Sequence, residues 1–170
     1  YLTLNCKEGP SKGNPVLRDR EVRRALAMAI DRHALVETAW NGLAEPGVSI
    51  INPGIWSDPD FHWRPPPGEE LAFDLAGARR TLDAAGYRDS DGDGVREDKN
   101  GRPIKLRLWA ATNNPQDQLQ GKLIAGWWKD IGIGVEFQIL DIGAIDDHYW
   151  NFEGDTYTPD YDAYMSMTLG

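Results

Sequence analysis

Between Ile104 and Ile139 the sequence carries a strand, a helix and a second strand in succession, and no other stretch limits the fold as tightly. Ile104, Leu106, Leu108 and Ala110 alternate with Lys105, Arg107 and Trp109, which is the period of a β-strand. Asn114-Pro115 then supplies a helix cap and a proline at the first helical position. Leu119, Leu123, Trp127 and Ile131 recur at every fourth residue, which predicts the buried stripe of a helix, and Gly132 ends it. Ile133, Val135, Phe137 and Ile139 alternate again. Two strands joined through a helix are expected to run parallel, with a right-handed crossover.

The flanks add helices and two outer strands. Leu2 to Asn5 reads as a short strand, followed by a loop marked by Gly9, Pro10, Gly13 and Pro15. Asp19 is placed to cap a helix running to about Ile30, with Val22, Leu26, Ala29 and Ile30 on its apolar face. Asp31 caps a second helix carrying Leu35, Val36 and Ala39, with Gly42 as its stop. Residues 43–70 are rich in proline and glycine and hold no period, so they read as one long loop. Asp74 caps a third helix through Ala85, with Leu75, Ala78, Leu82 and Ala85 on one face and Gly86 beyond its end. A short helix is expected near Ile142 to Trp150, and a last strand over Asp162 to Thr168. The predicted class is α/β (α+β), a small mixed sheet flanked by helices.

The length of 170 residues corresponds to about one domain, over 1–170. With 27 acidic and 18 basic side chains the net charge is −9, which argues against a nucleic-acid partner. No apolar run approaches the length of a membrane span. The lone cysteine, Cys6, offers no disulfide framework and reads as a packing residue. The chain begins at Tyr1 and stops at Gly170 directly after a strand-like run, so the expectation is a piece of a longer protein.

The sharpest local signal is Asp89-Ser90-Asp91-Gly92-Asp93-Gly94-Val95-Arg96-Glu97-Asp98. Carboxylates at alternate positions converge on one hard cation, the glycine at position 6 permits the sharp turn, and Val95 offers a backbone carbonyl. Asp89, Asp91, Asp93, Val95, Glu97 and Asp98 are therefore the candidate calcium ligands, with a structural role for the ion. The position of the closing bidentate glutamate of an EF-hand is Asn100 here, so this is no EF-hand. The competing reading is a solvated polar turn.

Other constellations carry less. Trp40, Trp127 and Trp128 lie on helix patterns and read as core or half-buried residues, whereas Trp56 and Trp63 lie in the long loop, open to packing or to stacking on a ligand. Trp109 and Trp150 are expected beside the cleft side of the sheet. His33, His62 and His148 are scattered over different elements and read as surface or packing residues. Asp146-Asp147-His148 sits on a predicted helix, where neighbouring residues face apart. There is no GxSxG, HExxH, P-loop or Rossmann glycine fingerprint, so no enzyme is indicated.

Several segments in order resemble the extracellular solute-binding proteins of family 5, the oligopeptide, dipeptide and nickel receptors of ABC importers. They are Tyr1-Leu2-Thr3-Leu4-Asn5, Asp19, and Val22-Arg23-Arg24-Ala25-Leu26-Ala27-Met28-Ala29-Ile30-Asp31-Arg32. Val36, Gly42, Ala44, Pro46 and Pro53 follow, then Asp74, Ala78, Leu82, Ala85-Gly86-Tyr87 and Asp89 to Arg96. Trp128-Lys129-Asp130-Ile131-Gly132-Ile133 and Tyr161-Asp162-Ala163 complete the set.

The resemblance implies the second large lobe of a receptor with a periplasmic-binding-protein type II-like fold, bounded by hinge strands. It implies a peptide or similar small solute held by closure against another lobe, an ABC permease as membrane partner, and a monomer. It also implies an extracellular or periplasmic location, membrane-anchored through the full-length protein. The ligand contacts it implies are Asn113, Asn114 and Gln116 at the start of the long helix, the region of His148 to Trp150, and Met165, Met167 and Thr168 in the last strand. Met167-Thr168 stands where the family often has Gly-Trp, so peptide specificity does not carry over. The alternative is a calcium-stabilised carbohydrate-binding or adhesion module, which the predicted helices oppose.

Overall fold

The computed structural model describes residues 1–47, 60, 64–66 and 71–166. Two sequence features shape its helices. Each helix starts on an Asp or Asn whose side-chain oxygen takes an N–H of the first turn. Asp19 caps α1 (Arg20–Met28), Asp31 caps α2 (Arg32–Trp40), Asp74 caps α3 (Leu75–Ala84), Asn114 caps α4 (Pro115–Asp130) and Asp141 caps α5 (Ile142–Tyr149). Three of them, α2, α3 and α4, end where the chain turns left-handed, α4 at Gly132. Asn41 at φ 50 follows α2, ahead of the expected stop at Gly42, and Gly86 at φ 89 follows α3.

The sheet has the order β1-β6-β2-β3. β2 (Lys105–Ala111) pairs parallel with β3 (Gly134–Leu140) and with β6 (Ala163–Met165), while β1 (Leu2–Leu4) is antiparallel to β6. The predicted βαβ unit is therefore present, with β2 at the centre. α4 crosses from β2 to β3 over one face, and α5 returns from β3 towards β6 over the other.

These two faces explain the burial of β2. Leu106, Leu108 and Ala110 enter the main core with Ile124, Ala125 and Trp128 of α4 and Val22, Ala25 and Leu26 of α1. Trp109 and Ala111 enter a second, smaller core with Ile145 and Tyr161. Trp109, which alternation placed with the polar residues, is only 3% exposed, because α5 covers the face that an isolated amphipathic strand would leave wet.

The stripe predicted for α4 is rotated. Gly121, Ile124, Ala125 and Trp128 face the sheet, Leu119 is exposed, and Leu123 and Trp127 are half-buried. Glycine and alanine carry little hydrophobic signal, yet they let the helix approach β3 closely. A Cβ on Gly121 would overlap the Phe137 ring. Trp128 anchors the other end and donates its indole N–H to Leu26 O at 3.1 Å.

Two elements were absent from the sequence reading. A 3-10 turn covers Pro15–Arg18 inside the expected loop. A hairpin joins β4 (Phe152–Glu153) to β5 (Thr156–Tyr157) through Gly154 at φ 60. Its Gly-Asp turn between aromatic and β-branched residues was a legible hairpin signal. Of the last strand expected over Asp162 to Thr168, the described part is β6.

Candidate functional site

The parallel strands β6, β2 and β3 all end on one edge of the sheet. Their ends lead into Ser166, into Thr112 to Asn114, and into Asp141. In open sheets with parallel strands, ligands sit beyond this edge, because the loops and helix N-termini there are free of the sheet's hydrogen bonding.

Asn113 and Gln116 stand exposed at this edge. Asn114, between them, is a building residue. Its side chain accepts the Asp117 N–H at 3.1 Å, and its amide donates to Asp117 Oδ2 at 2.8 Å. Asp117 is buried, and that burial raises its carboxyl above the ordinary value. Gln118 secures the turn from the other side by donating to Ala111 O and Thr112 O, both at 3.0 Å. Both ends of the Asn114 side chain therefore engage the first turn of α4.

Met165 pairs with Leu2 across the β1–β6 ladder and is 6% exposed. It lines a groove of about 460 Å³ together with Tyr1, Leu35, Trp40, Gln120 and Trp128. The sequence reading assigned Leu35 and Trp40 to packing alone and missed the groove. Its walls come from β1, α2 and α4, which are far apart in the chain, so no local pattern marks it.

Trp150 is 61% exposed and packs edge-on against Tyr149 at 4.7 Å. Tyr149, beside it, also stacks on Tyr161 at 5.5 Å and meets Tyr164 edge-on at 5.8 Å. His148 leans on Trp109 at 5.0 Å, and its carbonyl accepts the Asp160 N–H at 2.9 Å. Asp160 in turn pairs with Arg107 at 2.8 Å. The structure thus places Asn113, Gln116 and Met165 at the ends of the parallel strands and Trp150 at the end of α5, on the face of the sheet that holds Trp109. Met167, Thr168, Trp56, Trp63 and His62 lie outside the described residues.

The acidic loop is wound on its own carboxylates. Asp89 accepts the N–H groups of Gly92 at 2.7 Å and Gly94 at 2.9 Å. Asp91 accepts the N–H of Asp93 at 3.1 Å, and Asp93 that of Val95 at 2.7 Å. Carboxylate oxygens of Asp89, Asp91, Asp93 and Glu97 lie within 4.8 Å of one another. Asp98, also expected among the ligands, is engaged elsewhere. It binds Arg102 through Nε at 2.9 Å and Nη2 at 2.7 Å. The Arg102 backbone N–H and its guanidinium together hold the Asp98 carboxyl down to about 2.

Among the described residues no helix is long and apolar enough to cross a membrane. Comparison with known proteins agrees with the fold. The oligopeptide-binding protein AppA of Bacillus subtilis is 26% identical over 172 residues, covering 95% of this chain and 31% of AppA. The glutathione-binding protein GsiB of Salmonella choleraesuis is 29% identical over 143 residues, covering 84% of this chain and 23% of GsiB. The structure of AppA with a nonapeptide superposes with a TM-score of 0.77 over 96% of this chain and 30% of that one. NikA from Brucella suis, in complex with Fe(III)-EDTA, gives 0.77 at 21% identity over 99% of this chain and 30% of NikA, a likeness of fold. The chain thus spans under a third of the length of these relatives.

The fold is that of one part of a periplasmic-binding-protein type II-like receptor, which disfavours the adhesion-module reading. Residues 1–170 match the family described as bacterial extracellular solute-binding proteins, family 5 Middle, and the chain belongs to that family.

Proposed function

We propose that this chain is the substrate-binding lobe of an extracellular or periplasmic receptor that delivers a solute to an ABC permease. The observation that carries the proposal is the family match over the whole chain, combined with Asn113 and Gln116 exposed beyond the ends of the parallel strands. The ligand class is a peptide or similar small solute, in line with the oligopeptide- and glutathione-binding relatives. The protein binds without catalysis, as a monomer, and the full-length protein is tethered at the membrane.

In this reading, solute contacts both this lobe and the remainder of the receptor, and hinge closure follows because only the closed state makes both sets of contacts. The lobe by itself holds half of the contacts and binds weakly. Calorimetry of the full-length protein against peptides, glutathione, oligosaccharides and metal chelates tests this. Tight binding of one class, lost when the second lobe is removed, is the expected outcome. Failure of all four classes to bind would sink the receptor reading.

A further inference from the structure

We infer that the loop from Asp89 to Glu97 holds one calcium ion, and that the ion braces the fold at the end of the sheet remote from the solute edge. The inference starts from Glu97. Its side chain is buried, with the residue 7% exposed, and its Oε1 has no hydrogen-bond partner among the described residues. Its other oxygen, Oε2, is held by the Ser90 backbone N–H at 2.8 Å and by the Ser90 hydroxyl. A buried carboxylate oxygen with no donor is costly, and it persists where something unseen completes it.

That carboxylate is aimed into a cluster of like charge. Asp89, Asp91 and Asp93 place oxygens within 4.8 Å of it and of each other. Among the described residues no Lys or Arg forms an ion pair with any of the four. The one arginine within the loop, Arg96, is committed in another direction, to Asp83, to Tyr87 O and to Ile131 O. Four mutually repelling carboxylates without a basic partner call for a cation.

The donor set selects the ion. All the candidate ligands are oxygens, with no imidazole or thiolate, so a hard cation is favoured over zinc or copper. Acids at positions 1, 3 and 5, with Gly94 at position 6 and φ 89, give the sharp turn of a calcium loop. Glu97 at position 9 replaces the closing glutamate that an EF-hand carries at position 12. It can do so because its backbone is pinned. The Glu97 N–H donates to Arg88 O at 2.9 Å, and Glu97 forms an isolated bridge with Pro103.

The role follows from what the loop touches. Arg96 N–H donates to Gly132 O at 2.7 Å, and Ile104 N–H to Arg96 O at 2.8 Å. The loop therefore clasps the turn after α4 and the approach to β2, at the opposite end of β2 from Asn113. An ion here ties α3, α4 and β2 together and leaves the solute contacts alone.

The test uses the full-length protein, calcium chloride as the probe, and calorimetry beside thermal melting. Wild type is expected to bind calcium with submillimolar affinity, and its Tm to rise by about 2–4 °C between EDTA and saturating calcium. Glu97→Gln and Asp93→Asn should each weaken calcium binding by about tenfold or more, while Asp98→Asn leaves it unchanged. Asp93 is exposed, so its variant folds even if Glu97→Gln does not. Equal Tm in EDTA and calcium overturns the inference. Wild-type calcium affinity in Asp93→Asn also overturns it, because the ion then sits elsewhere. A magnesium response equal to that of calcium overturns the assignment of the ion.

Discussion

Asp162 binds Arg107 through three donors, taking its backbone N–H at 2.8 Å, its Nε at 3.2 Å and its Nη2 at 3.4 Å. The same carboxylate accepts the Asn14 N–H at 2.6 Å, and Asp160 takes the Arg107 Nη1 at 2.8 Å. One buried acid thus joins the start of β6, the third residue of β2 and the 3-10 turn. Burial pulls the Arg107 guanidinium down, but the bonds and charges of Asp162 and Asp160 outweigh this and leave it above its ordinary value.

Asp162→Ala should therefore cost about 2–4 kcal/mol, because it strands four donors and leaves a half-buried arginine with one acid. Urea melts of the two proteins measure this. A loss below about 0.5 kcal/mol would show that water replaces the carboxylate without penalty.

Gly121 faces the Phe137 ring at a distance no Cβ tolerates. Gly121→Val is expected to push α4 off β3 and destabilise by about 1–3 kcal/mol, despite the better helix propensity of valine over glycine. Adding Phe137→Ala to it should recover part of the loss, which a double-mutant cycle on Tm would reveal.

Asp98 provides a pH prediction. Its carboxyl titrates at about 2 while Arg102 is in place. A depressed acid stabilises the fold above its unfolded value near 4, and that contribution is lost as pH falls from about 4 towards 2. An NMR titration should give a midpoint for Asp98 at least one unit higher in Arg102→Ala, where the guanidinium bonds are gone. An unchanged midpoint would assign the effect to the backbone N–H groups alone.

At the solute edge the two asparagines should separate. Asn113→Ala is expected to weaken solute binding by about 2- to 10-fold in the full-length receptor, the worth of one hydrogen bond, with Tm unchanged. Asn114→Ala removes a helix cap and should cost about 1 kcal/mol of stability. Calorimetry and melting on both variants distinguish contact from support. Equal loss of binding in both would place the contact on α4 as a whole.

The local grammar of this protein was legible in its residues. Period-two alternation at Ile104–Ala110 and Ile133–Ile139, the capping residues Asp19, Asp31, Asp74 and Asn114, and the alternating acids from Asp89 all act within a few residues of themselves. They fixed the elements, and through the crossover rule the parallel pairing of β2 and β3. What tertiary structure alone decided is which surfaces meet. Trp109 became core because α5 arrived over it, and α4 turned Gly121 and Ala125 inward because Phe137 needed the space. Asp98 left the acidic loop for Arg102. Burial is a property of what packs against a side chain, and a residue's own identity does not specify the partner that covers it.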